Sequence, residues 1–209
     1  MADRKKDKKK EKAQLTTFTV PLALGGNKGK LTFNTNTSSK PSKQEIIKRA
    51  INYHLQGNIL EAKKYYKYCI DQGCNDHRVF SNYGVILKNL GKLEEAEMYT
   101  RKSILINPSY ANAHYNLGTI LKKIGKSEEA VESYLTTIKI RPDFFEALSN
   151  CGNIFKDLGE LEKAESFLRQ ALEINSNNAE INTNLGNILI DLGKLEEAAE
   201  FTYKAIEIN

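Results

Sequence analysis

Asparagine stands at Asn82, Asn116, Asn150 and Asn184, each 34 residues after the last. A primary amide carries two N–H donors and a carbonyl acceptor. A column of them could therefore grip the backbone of an extended peptide with little regard for its side chains. Asn153 and Asn187 lie three residues beyond the last two of these and would extend the column. Lys88, Lys122 and Lys156 recur at the same 34-residue interval and would set a basic strip along one edge. These nine residues are the candidates for contact with a protein or peptide ligand. Two plainer roles stand beside that one. The asparagines could bond across to a neighbouring unit, and the lysines could lie on a solvated face.

No other set of reactive side chains forms a constellation. The cysteines Cys69, Cys74 and Cys151 are three, an odd number, and the histidines His54, His77 and His114 are scattered. Neither set has metal-ligand spacing, and the thiols read as ordinary reduced cysteines. The stretch GGNKGKLT faintly resembles a phosphate-binding loop. That loop needs Gly five residues before its Gly–Lys pair and Ser or Thr after it, and here Leu24 and Leu31 stand there. Paired acids such as Glu94 and Glu95 recur at helix starts, where they favour the positive end of the helix dipole. The expectation is a chain with no cofactor, no metal site and no enzymatic activity of its own.

The elements that position the asparagines follow from the same interval. Gly57, Gly91, Gly125, Gly159 and Gly193 form one column of small residues at that spacing. Ala62, Ala96, Ala130, Ala164 and Ala198 form a second, and Ala50, Gly84, Gly118, Gly152 and Gly186 a third. With His77 as position 1, Phe80, Tyr83, Gly84 and Leu87 fall at positions 4, 7, 8 and 11, one stripe of a helix. Gly91 at position 15 suits a left-handed helix end. LEEAEMYTRKSILIN then reads as a second helix, and Pro108 closes the unit because proline cannot continue one.

A helix–turn–helix unit of 34 residues, small at positions 8 and 20, with Gly at 15 and Pro at 32, resembles the tetratricopeptide repeat (TPR) family. NLGTILKKIGKSEEAVESY and NLGNILIDLGKLEEAAEF carry the likeness most clearly. The resemblance implies an all-α, right-handed superhelix of about five repeats over 43–209, divided as 43–76, 77–110, 111–144, 145–178 and 179–209. It also implies that positions 2, 5, 6, 9, 12 and 13 of each first helix line a concave groove. The asparagine column lies at position 6. In this it is similar to the arrays of O-GlcNAc transferase-like bacterial proteins, where inward asparagines contact substrate peptides. The expected function is an interaction scaffold that binds a protein or peptide in the groove. The alternative is the substrate-recruiting array of a larger glycosyltransferase or sulfotransferase whose catalytic domain lies outside this sequence.

Several positions depart from the pattern. Arg49 takes position 7 of the first unit, and His114 and Asn182 take position 4, where weaker packing is expected. Ser103 and Thr137 stand at position 27 in place of Ala, where looser helix contacts are expected. Ser176 replaces the closing proline of the fourth unit. The fifth unit runs to Asn209 with no further helix, so Phe201, Ala205 and Ile208 are expected near an uncovered face. That implies a continuing chain, a partner at this end (self-association included), or an exposed patch that is simply tolerated.

Residues 1–42 differ in composition, with ten Lys or Arg against three Asp or Glu, whereas the rest holds 21 against 23. Residues 1–13 read as a disordered basic tail. Without interleaved aromatics the tail reads as solubilising rather than nucleic-acid-binding. Residues 14–42 read as a β-hairpin and linker, with Ser42 as N-cap of the first repeat helix and Glu45 at its third position. No apolar run is long enough to cross a bilayer or to form a signal-peptide core, so a cytoplasmic protein without membrane insertion is expected.

Overall fold

A computed structural model of the chain describes the backbone of residues 16–24 and 27–35 and, in full, residues 41–208. The basic tail, residues 1–13, lies outside the described residues. The chain divides into two compact units, Met1–Cys74 and Asn75–Asn209.

In the first unit β1 (Thr16–Leu24) and β2 (Asn27–Thr35) pair antiparallel, with Phe18 opposite Phe33 and Leu24 opposite Asn27. Pro21 pairs with Lys30. A residue without an N–H is tolerated there because both strands of a two-stranded sheet are edges. Helices α1 (Lys43–Leu55) and α2 (Ile59–Asp71) follow. The start of α1 is a reciprocal capping box. The Glu45 N–H donates to Ser42 Oγ at 3.3 Å, and the Ser42 N–H donates to Glu45 Oε2 at 2.7 Å.

The second unit is a solenoid of four helix pairs. They are α3 (His77–Asn89) with α4 (Leu93–Ile106), α5 (Ala111–Ile124) with α6 (Ser127–Ile140), α7 (Phe145–Asp157) with α8 (Leu161–Ile174), and α9 (Ala179–Asp191) with α10 (Leu195–Ile208). The first helix of each pair is called A and the second B. The two glycine columns do different work. Gly125 adopts φ +87° with open space where a Cβ would stand, so this column supplies the left-handed turn between A and B. The Lys126 N–H closes that turn on the Leu121 carbonyl at 2.9 Å. Gly118 has ordinary helical backbone, but a Cβ there would stand 2.6 Å from the Tyr134 ring. That column supplies room for the residue at position 24 of helix B.

The polar side chains that depart from the pattern are hydrogen-bonded to backbone. His114 meets the Pro108 carbonyl at 2.9 Å through Nε2. Asn182, 1% exposed, donates to the Asn178 carbonyl at 2.8 Å and the Ser176 carbonyl at 3.3 Å. Polar side chains at position 4 thus satisfy carbonyls of the loop that closes the preceding repeat. Ser103 donates to the His77 carbonyl at 2.7 Å, and Thr137 to the Ser133 carbonyl at 2.9 Å, and both are fully buried. Each of these polar groups finds a backbone partner, and His114 and Asn182 also line recesses of about 400 and 540 Å³. Ala205 is also not uncovered. It is 5% exposed, since position 27 faces inward within its own repeat, and Tyr203 and Ile206 carry the exposed surface of α10 instead.

The seams between successive repeats alternate in chemistry. Between the second and third, Glu97 binds Arg101 at 2.8 Å and Lys126 at 3.5 Å, and Arg101 reaches Glu129 at 3.0 Å. Two repeats on, Glu165, Arg169, Lys194 and Glu197 form the same cluster. The seam between them holds Val131 and Leu135 at the matching positions, and there Ile138, Phe155 and Phe167 join the two apolar cores.

Candidate functional site

Along the array α3 meets α5 and α7 meets α9. The asparagine column crosses these helices, and Asn82, Asn116, Asn150 and Asn184 are all half-buried. Most are tied to the repeat before. Asn116 Nδ2 donates to Ser81 Oγ at 3.0 Å, Asn150 Nδ2 to Tyr115 Oη at 3.5 Å, and Asn184 Nδ2 to Asn153 Oδ1 at 3.1 Å. The cross-repeat role considered above is therefore present. Each of these bonds uses one of two N–H groups on the amide, so the pinned side chain keeps hydrogen-bonding capacity of its own. Asn187 is exposed at the same level of α9 as Asn153 on α7.

A recess of about 220 Å³ opens on this face, floored by Tyr115, Asn150 and Asn153 and walled by Glu146 and Glu180. Tyr115 was not among the sequence candidates, although position 5 belongs to the groove set. Its ring stacks on Phe144 at 4.7 Å. Burial pushes its hydroxyl pKa up, the negative charges of Glu146 and Glu180 push it further, and the Asn150 bond pulls the other way. The hydroxyl therefore stays protonated and serves as a neutral donor and acceptor. Both glutamates line the same recess. Phe144 is held in turn by Arg141, whose guanidinium lies 3.7 Å from the ring centre.

Lys88, Lys122 and Lys156 lie half-buried near the C-terminal ends of their helices. Burial lowers the pKa of Lys88, and the neighbouring charge of Lys123 lowers it further. The lysine edge thus spans two repeats with like charges close enough to repel.

Cys69, Cys74 and Cys151 are buried free thiols. Burial pushes the Cys151 pKa up to about 12, which leaves a thiol rather than a nucleophilic thiolate at neutral pH. Among the described residues no group of three or more His, Cys, Asp or Glu side chains is placed to hold a metal ion. Among the same residues no helix is long and apolar enough to cross a membrane.

Paired antiparallel helices on a 34-residue period, stacked so that one helix of each pair lines a continuous face, define a helical-repeat interaction scaffold. Sequence profiles described as TPR repeat match residues 118–159 and 152–193. Profiles described as tetratricopeptide repeat match 99–132, 77–110 and 179–209. The chain belongs to the tetratricopeptide repeat family. No curated protein sequence matches it. Among solved structures, a crystal structure of MamA superposes with TM-score 0.69 at 19% identity, covering 76% of this chain and 93% of that one. MamA from Desulfovibrio magneticus RS-1 gives TM-score 0.70 at 22% identity over 81% of this chain and 97% of that one. YrrB, described as a TPR protein with an unusual peptide-binding site, gives 0.66 at 20% identity over 80% of this chain and 87% of that one. At these identities the likeness is one of fold.

Proposed function

We propose that the chain is a scaffold that holds an extended polypeptide in the groove of its A helices. In this reading Asn82, Asn116, Asn150 and Asn184, extended by Asn153 and Asn187, address the ligand backbone, and Lys88, Lys122 and Lys156 address its charge. The observation that carries the reading is the recess floored by Tyr115, Asn150 and Asn153, where half-buried amides are already oriented by cross-repeat bonds. Side chains pinned before binding lose little entropy on binding. The description of YrrB as having a peptide-binding site agrees with a fold that serves this role. The test uses ten-residue peptides selected from a random phage-displayed library against the full chain. Asn116→Ala with Asn150→Ala should keep the helical circular dichroism and weaken those peptides about tenfold, the worth of one or two hydrogen bonds. Unchanged affinity would sink the ladder.

The reading extends to self-association through the outer face of α10. Tyr203 and Ile206 are 69% and 66% exposed there. Phe201, Leu172 and Ile208 line an adjoining pocket of about 540 Å³.

A further inference from the structure

The charges of the groove are sorted along its length. On the A helices of the second and third repeats, the formal charges with no ion-pair partner among the described residues are all positive. Among the described residues Lys88, Lys122 and Lys123 form no ion pair, and the groove's other cation there, Arg78, is neutralised by Asp76 at 2.7 Å. Over the fourth and fifth repeats the sign reverses. Glu146, Asp157, Glu180 and Asp191 occupy groove positions, and among the described residues none has an ion-pair partner. Lys156 marks the crossover, next in sequence to Asp157. The seams between the B helices behave differently, since Arg101, Lys126, Arg169 and Lys194 are all paired with glutamates. Like charges gathered without counter-charges destabilise a fold, and the arrangement offers an opposite-charged ligand a steep electrostatic match.

We infer that this groove selects an extended segment of split charge, acidic where it crosses the second and third repeats and basic where it crosses the fourth and fifth. The inference rests on the groove reading above and names the ligand class for it. Its length follows from geometry. Four neighbouring A helices set about 8–10 Å apart span roughly 27 Å, which a strand covers with about eight or nine residues. A helical A face about 20 Å across leaves both edges within reach of long side chains on such a strand. A polyphosphate backbone fits only half of the groove, because the acidic walls at Glu146 and Glu180 repel it along the rest.

Fluorescence anisotropy on the full chain at low salt tests this, with synthetic peptides of about nine residues as probes. Two carry a glutamate block and a lysine block in opposite orders, one scrambles the same residues, one is all glutamine and one all lysine. One of the block peptides should bind at least about tenfold tighter than the scramble, and the gap should narrow as salt screens the charges. Replacing Lys88→Glu, Lys122→Glu and Lys123→Glu together should shift the preference to the all-lysine peptide, a gain that a misfolded variant could not show. If the scramble or the all-glutamine peptide binds as well as the blocks, the charge inference is overturned and the groove reading stands. If none of the peptides binds, both fall. A thymidine oligonucleotide that binds tighter than either block peptide overturns it in favour of a general polyanion surface.

Discussion

Tyr134 is fully buried in the apolar core of the third repeat, in the space that Gly118 leaves, and among the described residues its hydroxyl has no hydrogen-bond partner. An unpaired buried hydroxyl costs roughly 1–3 kcal/mol of desolvation. The ring itself is well placed, against Tyr115 at a centroid distance of 5.8 Å. Tyr134→Phe keeps the ring and removes the unpaired oxygen. It should therefore raise stability by about 1 kcal/mol, read as a higher urea midpoint with the slope unchanged. A lower midpoint would mean that the hydroxyl contributes something the structure does not show. Thr100 repeats the situation one repeat earlier, against Gly84, with a hydroxyl that is also unpaired among the described residues. At position 24 the fold tolerates Tyr, Thr or Leu because glycine opposite sets only the room, not the chemistry.

At the scale of the element, the ion clusters at alternate seams fasten one B helix to the next. Glu97 and Glu165 are their hubs. Desolvation alone would raise both carboxyl pKa values, but the bonds and charges of the surrounding cations outweigh it. Arg101 and Lys126 hold Glu97 below the usual glutamate range, and Lys194 and Arg169 do the same for Glu165. A pKa lowered on folding contributes stability that is complete above the unfolded value, about 4.3, and is lost as pH falls through the folded one. The double variant Glu97→Gln, Glu165→Gln should be about 1 kcal/mol less stable than the parent at pH 7, a modest figure because the cations are partly solvent-screened. The difference should shrink below about pH 4, where the parent's own carboxylates protonate. Urea titrations at several pH values measure it, and a difference that stays constant with pH would rule out these pairs as its source. The middle seam should not respond, since Val131 and Leu135 stand where the acid and base would be.

For the molecule as a whole, α10 presents the exposed apolar side chains Tyr203 and Ile206. Sedimentation velocity over a range of concentrations should show self-association of the parent chain, and Tyr203→Glu with Ile206→Glu should abolish it while leaving the helical signal intact. A chain that is monomeric throughout the range would refute association through α10. Grouping the charges along one groove is likewise a property of the array, because the sequence scatters them over more than a hundred positions and only stacking brings them to one face.

Much of this was written in the period of the sequence. Three columns of small residues at a 34-residue interval determined the helix pairs, the turns between them and the family, because left-handed turns and close helix crossings admit few side chains. The capping box at Ser42 and Glu45 was equally legible, since its partners lie three residues apart. Tertiary structure decided what local spacing cannot encode. It showed that Asn116 is held by Ser81, 35 residues away, and that Tyr115 floors the recess. It showed that His114 and Asn182 satisfy loop carbonyls, and that Ala205 is covered while Tyr203 is not. In each case the deciding partner lies in another helix or loop, and a side chain's hydrogen bonds and burial are set by what the fold brings against it.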